Sequence, residues 1–475
     1  MAAFSVAVLG SLPVLLLLVG PSMGSSRFPS SLIAQPEPGM CGTVVSIHGY
    51  KCEEYEATTD DGKWNDVAVE LTGTITGVIL QIAGFDVWIS NNQQEPDTQK
   101  TSVVDLCYRT TGQRFITSGI QWDMMALASS QKAASRQVMV YVQRKLVRDS
   151  HSALTLSFKA YIADGTTWLL NSPEQSLAMI LADSGFDVWI SNIRGTRYSR
   201  RHVSLDANTD PDYWNWTWDD LVVHDLPAVV DLVFRTTGQK VHYIGHSMGT
   251  LMALASFSEG RLVDKVKSAA LLSPIAYLSH MTTELGLMAA RAFVGEITTI
   301  FGLAEFNPKG EPVSQFLKAL CAQPGVDCFD LMSALTGKNC CLNSSTVELF
   351  LKYEPQSTST KNLVHLAQTV RDGVLAKYDY GNNDFNLAHY GEARPPRYNL
   401  TNIPRDIPMF ISYGGADALS DVKDVESLLD YLKFHDVLKL YVQYIKDYAH
   451  ADFIIGITAK DVVYNQIINF FRNLH

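Results

Sequence analysis

The sequence predicts an α/β protein with a mainly parallel central sheet flanked by helices and a helical insertion between two late strands. Three observations carry that prediction. From about residue 185, apolar β-branched segments alternate with segments of helical period, the pattern that a parallel sheet with crossover helices produces. Val241 to Gly245, a buried-type strand, runs through Gly245-His246-Ser247-Met248-Gly249 into a helix-like run that reaches Phe257. A helix-like stretch, 275–406, separates two sheet strands and is too long for a plain loop, so it reads as a cap or lid.

Each element has a local reason. Phe186 to Asn192 is apolar and β-branched, as a strand requires. Trp218 to Thr237 carries apolar residues at helical spacing and is stopped by Gly238. Ser268 to Leu272 is a strand closed by Ser273-Pro274. Beyond the insertion come a strand from Pro408 to Tyr413, a helix from Val422 to Leu432, a strand from Leu438 to Ile445 and a closing helix from Lys460 to Leu474. Upstream, Val138 to Lys145 and Ala153 to Phe158 are candidates for early sheet strands.

A partial internal duplication precedes this region. Gly84-Phe85-Asp86-Val87-Trp88-Ile89-Ser90 recurs as Gly185 to Ser191, Val103 to Leu106 as Val229 to Leu232, and Arg109 to Gln113 as Arg235 to Gln239. Met125 to Ser130 echoes Met252 to Phe257. The first copy lacks the counterpart of Arg194 to Ala228. Two readings stay open: a true duplication, or a gene model that joins pieces of neighbouring copies.

The 475 residues are 47% hydrophobic and 18% charged, a globular composition with material for a sizeable core. A net charge of −11 argues against nucleic acid as a partner, because phosphate binding needs a basic face. Phe4 to Val19 is apolar, with small residues after it, and fits a signal peptide cut near Gly24. It carries no Lys or Arg ahead of the apolar run, so a retained anchor is the alternative. No later segment is apolar enough to span a bilayer. Sequons at Asn215, Asn343 and Asn399 agree with the secretory route. Seven cysteines suggest a short bridge between Cys41 and Cys52 and two bridges within the cluster Cys321, Cys328, Cys340 and Cys341, leaving Cys107 over. Metal binding by the cluster is the weaker alternative, since no His lies at ligand spacing. The expected organisation is a signal peptide over 1–25, an N-terminal segment over 40–62, an atypical insertion with the truncated repeat over 63–150, and a catalytic domain over 151–475.

Ser247 occupies the centre of a G-x-S-x-G elbow between strand and helix. A sharp turn there holds serine in a strained conformation, and glycine on each side removes side chains that would collide. The hydroxyl then stands at a helix N-terminus, where developing negative charge is favoured. The Met248 N–H faces the same space and can form half of an oxyanion hole. At the matching place the first copy reads Gly119-Ile120-Gln121-Trp122-Asp123, with no nucleophile and no second glycine, so it cannot be a second active site.

The partners follow in chain order, acid then base, each after a strand. Asp417 ends the strand that runs into Gly414-Gly415-Ala416, whereas Asp421 stands where a helix begins and reads as its cap. Of the histidines beyond Asp417, His435 precedes the last strand and His475 is terminal. His450 follows the strand that ends at Ile445 and is the expected base. His246 reads as packed under the elbow.

Cys41 to Gly62 and nearly everything from Asp164 onward resemble a known family. The matching motifs include Gly185 to His202, Tyr213 to Leu221, His242 to Thr250, Tyr413 to Val425 and Tyr448 to Phe453. They resemble the acid lipases of the α/β-hydrolase fold, the gastric and lysosomal lipase family, in its plant triacylglycerol lipase branch. The resemblance implies a Ser247–His450–Asp417 triad, a helical cap and hydrolysis of acylglycerol or steryl esters, with no metal and no cofactor. One segment departs from it. Where the family has His-Gly-Leu-Leu, this chain has Lys159-Ala160-Tyr161-Ile162. The family's second oxyanion N–H then falls on Tyr161, after an alanine that lacks glycine's conformational range. Losing such a donor costs about 2.7–4 kcal/mol, or roughly 100- to 1,000-fold in rate.

The leading expectation is therefore a secreted, extracellular or vacuolar–lysosomal serine hydrolase. It would act on lipid esters at a transient lipid–water interface, through an acyl-enzyme intermediate. The alternative is an impaired homologue that binds lipid or a partner without turnover. A peptidase is a third reading, which nothing in the sequence favours.

Overall fold

The computed structural model describes residues 39–41, 50–61, 64–74, 78–82, 85–90, 123–126, 138–143, 154–158, 163–283, 286–287, 290, 302–310 and 331–474. The apolar N-terminal run, Cys107, Tyr161, Cys321 and Cys328 lie outside these residues.

The chain opens with β1 (Tyr50–Lys51), β2 (Glu54–Thr58) and β3 (Trp64–Thr74). Then come β4 (Val78–Ile82), β5 (Phe85–Ser90), β6 (Asp123–Ala126) and β7 (Val138–Gln143), which form a separate sheet in the order β4-β5-β7-β6. The main sheet resumes with β8 (Leu154–Phe158), β9 (Asp187–Ser191), β10 (Val241–Ser247) and β11 (Val266–Pro274). A two-stranded pair, β12 (Glu305–Phe306) and β13 (Thr358–Ser359), lies in the insertion, and β14 (Met409–Gly414) and β15 (Leu440–Ile445) complete the main sheet. Its order is β1-β3-β9-β8-β10-β11-β14-β15, with β2 also paired to β3. From β9 to β15 every neighbouring pair is parallel. The carboxyl ends of β8, β10, β11, β14 and β15 therefore share one edge, where open α/β sheets place their sites.

Two sequence expectations are corrected here. Val138 to Lys145, a candidate early strand of the main sheet, supplies β7 of the separate sheet, where it pairs with β5 and β6. The atypical insertion expected over 63–150 begins later, because its residues 64–74 form β3, which pairs antiparallel with β9 in the main sheet. A period-2 signal was present: Val67, Val69 and Leu71 stand at alternate positions, with Asp66, Ala68, Glu70 and Thr72 as the others.

Burial explains why the central strands read as continuous apolar runs. In β10, Val241 and Tyr243 join one core cluster while Ile244 joins the other; Ala269 and Leu271 of β11 divide in the same way from Ala270 and Leu272. Successive side chains point to opposite faces, and helices cover both. One face holds α2 (Leu226–Thr237), α3 (Met248–Ser258) and α8 (Val422–Tyr431); the other holds α1 (Leu177–Asp183) and α9 (Asn465–Arg472). Gly238 ends α2 at φ 70°, and the Asp421 carboxylate caps α8 by accepting from the Lys423 N–H at 2.9 Å. The regular structure described between β11 and β14 is mostly helix: α4 (Leu331–Thr336), α5 (Ser344–Tyr353), α6 (Thr360–Asp372) and α7 (Asn383–Tyr390).

Candidate active site

Ser247 is the last residue of β10 and stands immediately before α3. Its backbone lies at φ 54°, ψ −123°, a region L-residues seldom occupy, so the strained elbow expected from sequence is present. The surroundings force it. A Cβ on Gly245 would lie 2.9 Å from the Gly249 carbonyl group, so strand and helix approach too closely there for any side chain. Thr250 then locks the turn, its hydroxyl donating to the Ser247 carbonyl at 2.6 Å and accepting from the Ile275 N–H at 2.7 Å. Met248 is the first residue of α3, so its N–H is one of the donors a helix leaves unpaired at its start.

Asp417 follows β14, and Gly414 and Gly415 make its turn possible. A Cβ on Gly414 would fall 2.1 Å from the Tyr448 carbonyl oxygen, and one on Gly415 would fall 2.4 Å from that of Lys446. The two glycines thus let the turn after β14 lie directly on the loop after β15. The Asp417 carboxylate accepts from the Leu419 and Ser420 N–H groups at 2.9 and 2.8 Å, and from His450 Nδ1 at 3.0 Å. Those bonds leave it oriented by three donors.

His450 is 4% exposed, with Nδ1 on Asp417 and Nε2 buried without a hydrogen-bond partner among the described residues. An imidazole that donates from Nδ1 presents Nε2 as a proton acceptor. The loop sits against the elbow: His246 Nε2 donates to the His450 carbonyl at 2.9 Å, and the two rings lie 4.5 Å apart. His246 is thus buried beside Ser247 as a support. His435 is elsewhere, donating to the Ile407 carbonyl at 2.8 Å.

Other candidate residues are placed as follows. Asn215, Asn343 and Asn399 are all exposed. Disulfide bonds join Cys41 to Cys52 and Cys340 to its neighbour Cys341. Cys340 and Cys341 come near Asp452, but their bond removes the thiolates a metal would need. Asp60, Asp61 and His224 also converge, but Asp61 is committed to Arg194. Arg194 is fully buried between Asp61 and Asp225, and these two charges hold its guanidinium protonated against burial. Sequence reasoning did not single out Arg194, Asp452 or Asn339. Each has a partner far along the chain, which no local spacing betrays.

A family model described as the alpha/beta hydrolase fold matches residues 168–331. Triacylglycerol lipase 2 of Arabidopsis thaliana is 48% identical over 434 residues, which cover 91% of this chain and 88% of that protein. Triacylglycerol lipase 1 of the same plant is 42% identical over 308 residues, covering 65% of this chain and 77% of its own. Human lipase member K is 34% identical over 318 residues, covering 65% and 76%. The strained serine on a parallel sheet and the relatives' identity agree: this chain belongs to the acid lipase family of α/β-hydrolases and is a carboxylic ester hydrolase.

Proposed function

We propose that the chain is a secreted lipase that cleaves the esters of acylglycerols with Ser247 as nucleophile, His450 as base and Asp417 as its orienting acid. The observation that carries this reading is the His450 imidazole, held through Nδ1 by Asp417 at 3.0 Å, with Nε2 left open beside the strained Ser247 turn. In the first half-reaction the Ser247 oxygen attacks the ester carbonyl while Nε2 takes the hydroxyl proton. The carbonyl electrons move onto oxygen, where the Met248 N–H and a second N–H from Tyr161 stabilise them. Collapse expels the alcohol, which leaves with the proton from His450 and yields an acyl-serine. Water then repeats the sequence and releases the fatty acid. Asp417, accepting from Nδ1, keeps the ring in its productive tautomer.

The substrate class rests on the relatives, two of which are named triacylglycerol lipases. In this reading 275–406 forms the cap over the site, where it meets a lipid–water interface, and the part of 63–150 that follows β3 is an insertion into the hydrolase domain. Secretion, with residues 1–25 as signal peptide and glycans on Asn215, Asn343 and Asn399, is supported by the exposure of all three asparagines.

Hydrolysis of p-nitrophenyl butyrate and of triolein by the purified protein tests the proposal. Ser247→Ala lowers turnover by about four orders of magnitude or more. A second reading, an impaired homologue, is favoured by Ala160 where the family carries glycine. Wild-type turnover no greater than that of Ser247→Ala establishes this reading and removes the first.

A further inference from the structure

The three consecutive peptide N–H groups around the imidazole are not satisfied by the sheet. Ala449 N–H donates to the Asp452 carboxylate at 2.8 Å, His450 N–H to the Thr336 carbonyl at 3.0 Å, and Ala451 N–H to the Asn339 side-chain oxygen at 3.2 Å. Thr336 ends α4 and Asn339 follows in the segment before α5, inside the long stretch that separates β11 from β14.

That segment is bound at both ends of the Asp417–His450 hydrogen bond. The Thr336 carbonyl also accepts from the Ala418 N–H, at 3.4 Å, so one oxygen joins the turn carrying Asp417 to the loop carrying His450. Gly337 forms an isolated bridge with Asp417 at φ +91°, and a Cβ there would stand 2.1 Å from the Ala416 oxygen. The Asn339 amide donates back to the Thr336 hydroxyl and the Gly337 carbonyl, at 2.7 and 3.0 Å, which fixes the direction of its oxygen. One and two residues on, the N–H groups of Cys340 and Cys341 reach the Asp452 carboxylate at 3.1 and 3.0 Å. The Asp452 side chain is fully buried and so receives three backbone donors, one from its own loop and two from the segment. Further bonds continue the contact, from Ile457 N–H to the Cys341 carbonyl and across the bridge of Leu342 with Gly456.

We infer that Asp452 and Asn339 are positioning residues that set the His450 ring relative to Ser247, by tying its loop to a strap, 336–342, contributed by the helical insertion. The inference rests on the triad reading above. Its physical basis is leverage: the His450 loop leaves the sheet at Ile445, and beyond that point its orientation depends on whichever groups take its peptide hydrogens. A shift of about 1 Å in a catalytic group costs roughly 100-fold in rate.

The test is the rate constant for phosphonylation of Ser247 by a p-nitrophenyl alkylphosphonate, read beside kcat and KM on p-nitrophenyl butyrate. The phosphonylation rate reports base activation in each reactive molecule and does not depend on the fraction of protein folded. Asp452→Ala is expected to slow both processes by about 10- to 100-fold with KM within about twofold, and Asp452→Asn, which keeps one acceptor oxygen, to recover part of the loss. Asn339→Ala is expected to slow them by about 3- to 10-fold, and Asn339→Asp, which keeps the acceptor, to lose less. Should Asp452→Ala not fold, Asn339→Ala decides the matter. Asn339→Ala at the wild-type phosphonylation rate, or losses that appear in KM rather than kcat, overturns the inference. His450→Ala separates the two readings: an inert His450→Ala beside unimpaired strap variants removes the strap alone, whereas an active His450→Ala removes the triad.

Discussion

The chain contains the same seven residues twice, and the two copies stand in different sheets. Gly84 to Ser90 provides β5, which pairs antiparallel with β4 and parallel with β7. Gly185 to Ser191 provides β9, which pairs antiparallel with β3 and parallel with β8. One local sequence has produced the same element with the same kinds of neighbour in both places. Further along, the likeness breaks. Met252 to Ser256 lies inside helix α3, whereas the identical run that begins at Met125 has Met125 and Ala126 in strand β6. The difference lies in what comes before. In the second copy the Gly245 to Gly249 elbow launches a helix under the sheet; in the first, the sequence Gly119 to Asp123 lacks the second glycine of that motif. A strand of aromatic and β-branched residues carries its own preference, while a short alanine- and leucine-rich run takes the structure its flanks impose.

Four measurements break or sharpen this comparison. The largest effect concerns chemistry. Ser247→Ala leaves esterase activity about 10⁴-fold or more below wild type, and adding Gln121→Ser to it restores none, because the first copy lacks the elbow glycine and the strand-end partners. Any recovery of p-nitrophenyl butyrate turnover in the double variant would break the contrast.

The next compares the repeated tryptophans. Trp189 is 1% exposed within the main core, so Trp189→Ala destabilises by about 3–5 kcal/mol in urea titrations. Trp88→Ala, in a sheet with no strand pairing to the main one among the described residues, costs less. Equal shifts in midpoint would show that both sheets share one cooperative unit.

The third concerns the stretch present in the second copy alone. Asp219 lies there, and burial holds its carboxyl up to about 7 even though the Tyr398 hydroxyl, the Tyr378 N–H and the charge of Lys377 pull the other way. Its folded pKa stands above the unfolded value, so the folded chain keeps an extra proton between about pH 4 and about pH 7. Asp219 therefore makes stability fall as pH rises through that window, by up to about 4 kcal/mol. His242 and His365 act in the opposite direction, since burial lowers both to about 3 and their contribution is lost as pH falls from about 6.5. Asp219→Asn removes the first trend and leaves the second, so unfolding free energies at about pH 5 and about pH 8 should rise more steeply with pH in the variant. Parallel profiles for variant and wild type would count against the assignment.

The smallest effect is expected from excision. Replacing 78–143 with a short flexible linker joins β3 to β8 without disturbing a strand of the main sheet, and kcat/KM stays within ~threefold of wild type, the scale of a loop-closure change. A collapse of activity would show that the first copy supports the hydrolase sheet.

The reach of the sequence follows the range of the forces involved. The elbow, the glycines before Asp417, the cap at Asp421 and the strands β9, β10, β11 and β14 were legible because each depends on residues within one turn or one strand of itself. Of the proposed triad, Ser247 was picked from the elbow and Asp417 and His450 from chain order, and the structure brings Asp417 and His450 to 3.0 Å beside the elbow. The assignment of 64–74 to the main sheet and of 138–143 to the separate one was not legible, because a strand's own pattern states that it is a strand but not which neighbour it will find. Nor was the strap around His450, whose bonds run from backbone hydrogens to groups more than 100 residues away. Backbone N–H groups are the same in every residue but proline, so a contact made through them leaves no mark in the sequence. Side-chain pattern and turn chemistry by themselves determined most of the elements and singled out the groups proposed to react. Which strands became neighbours, and what holds the imidazole loop in place, was decided only when the chain closed on itself and every buried peptide group had to find a partner.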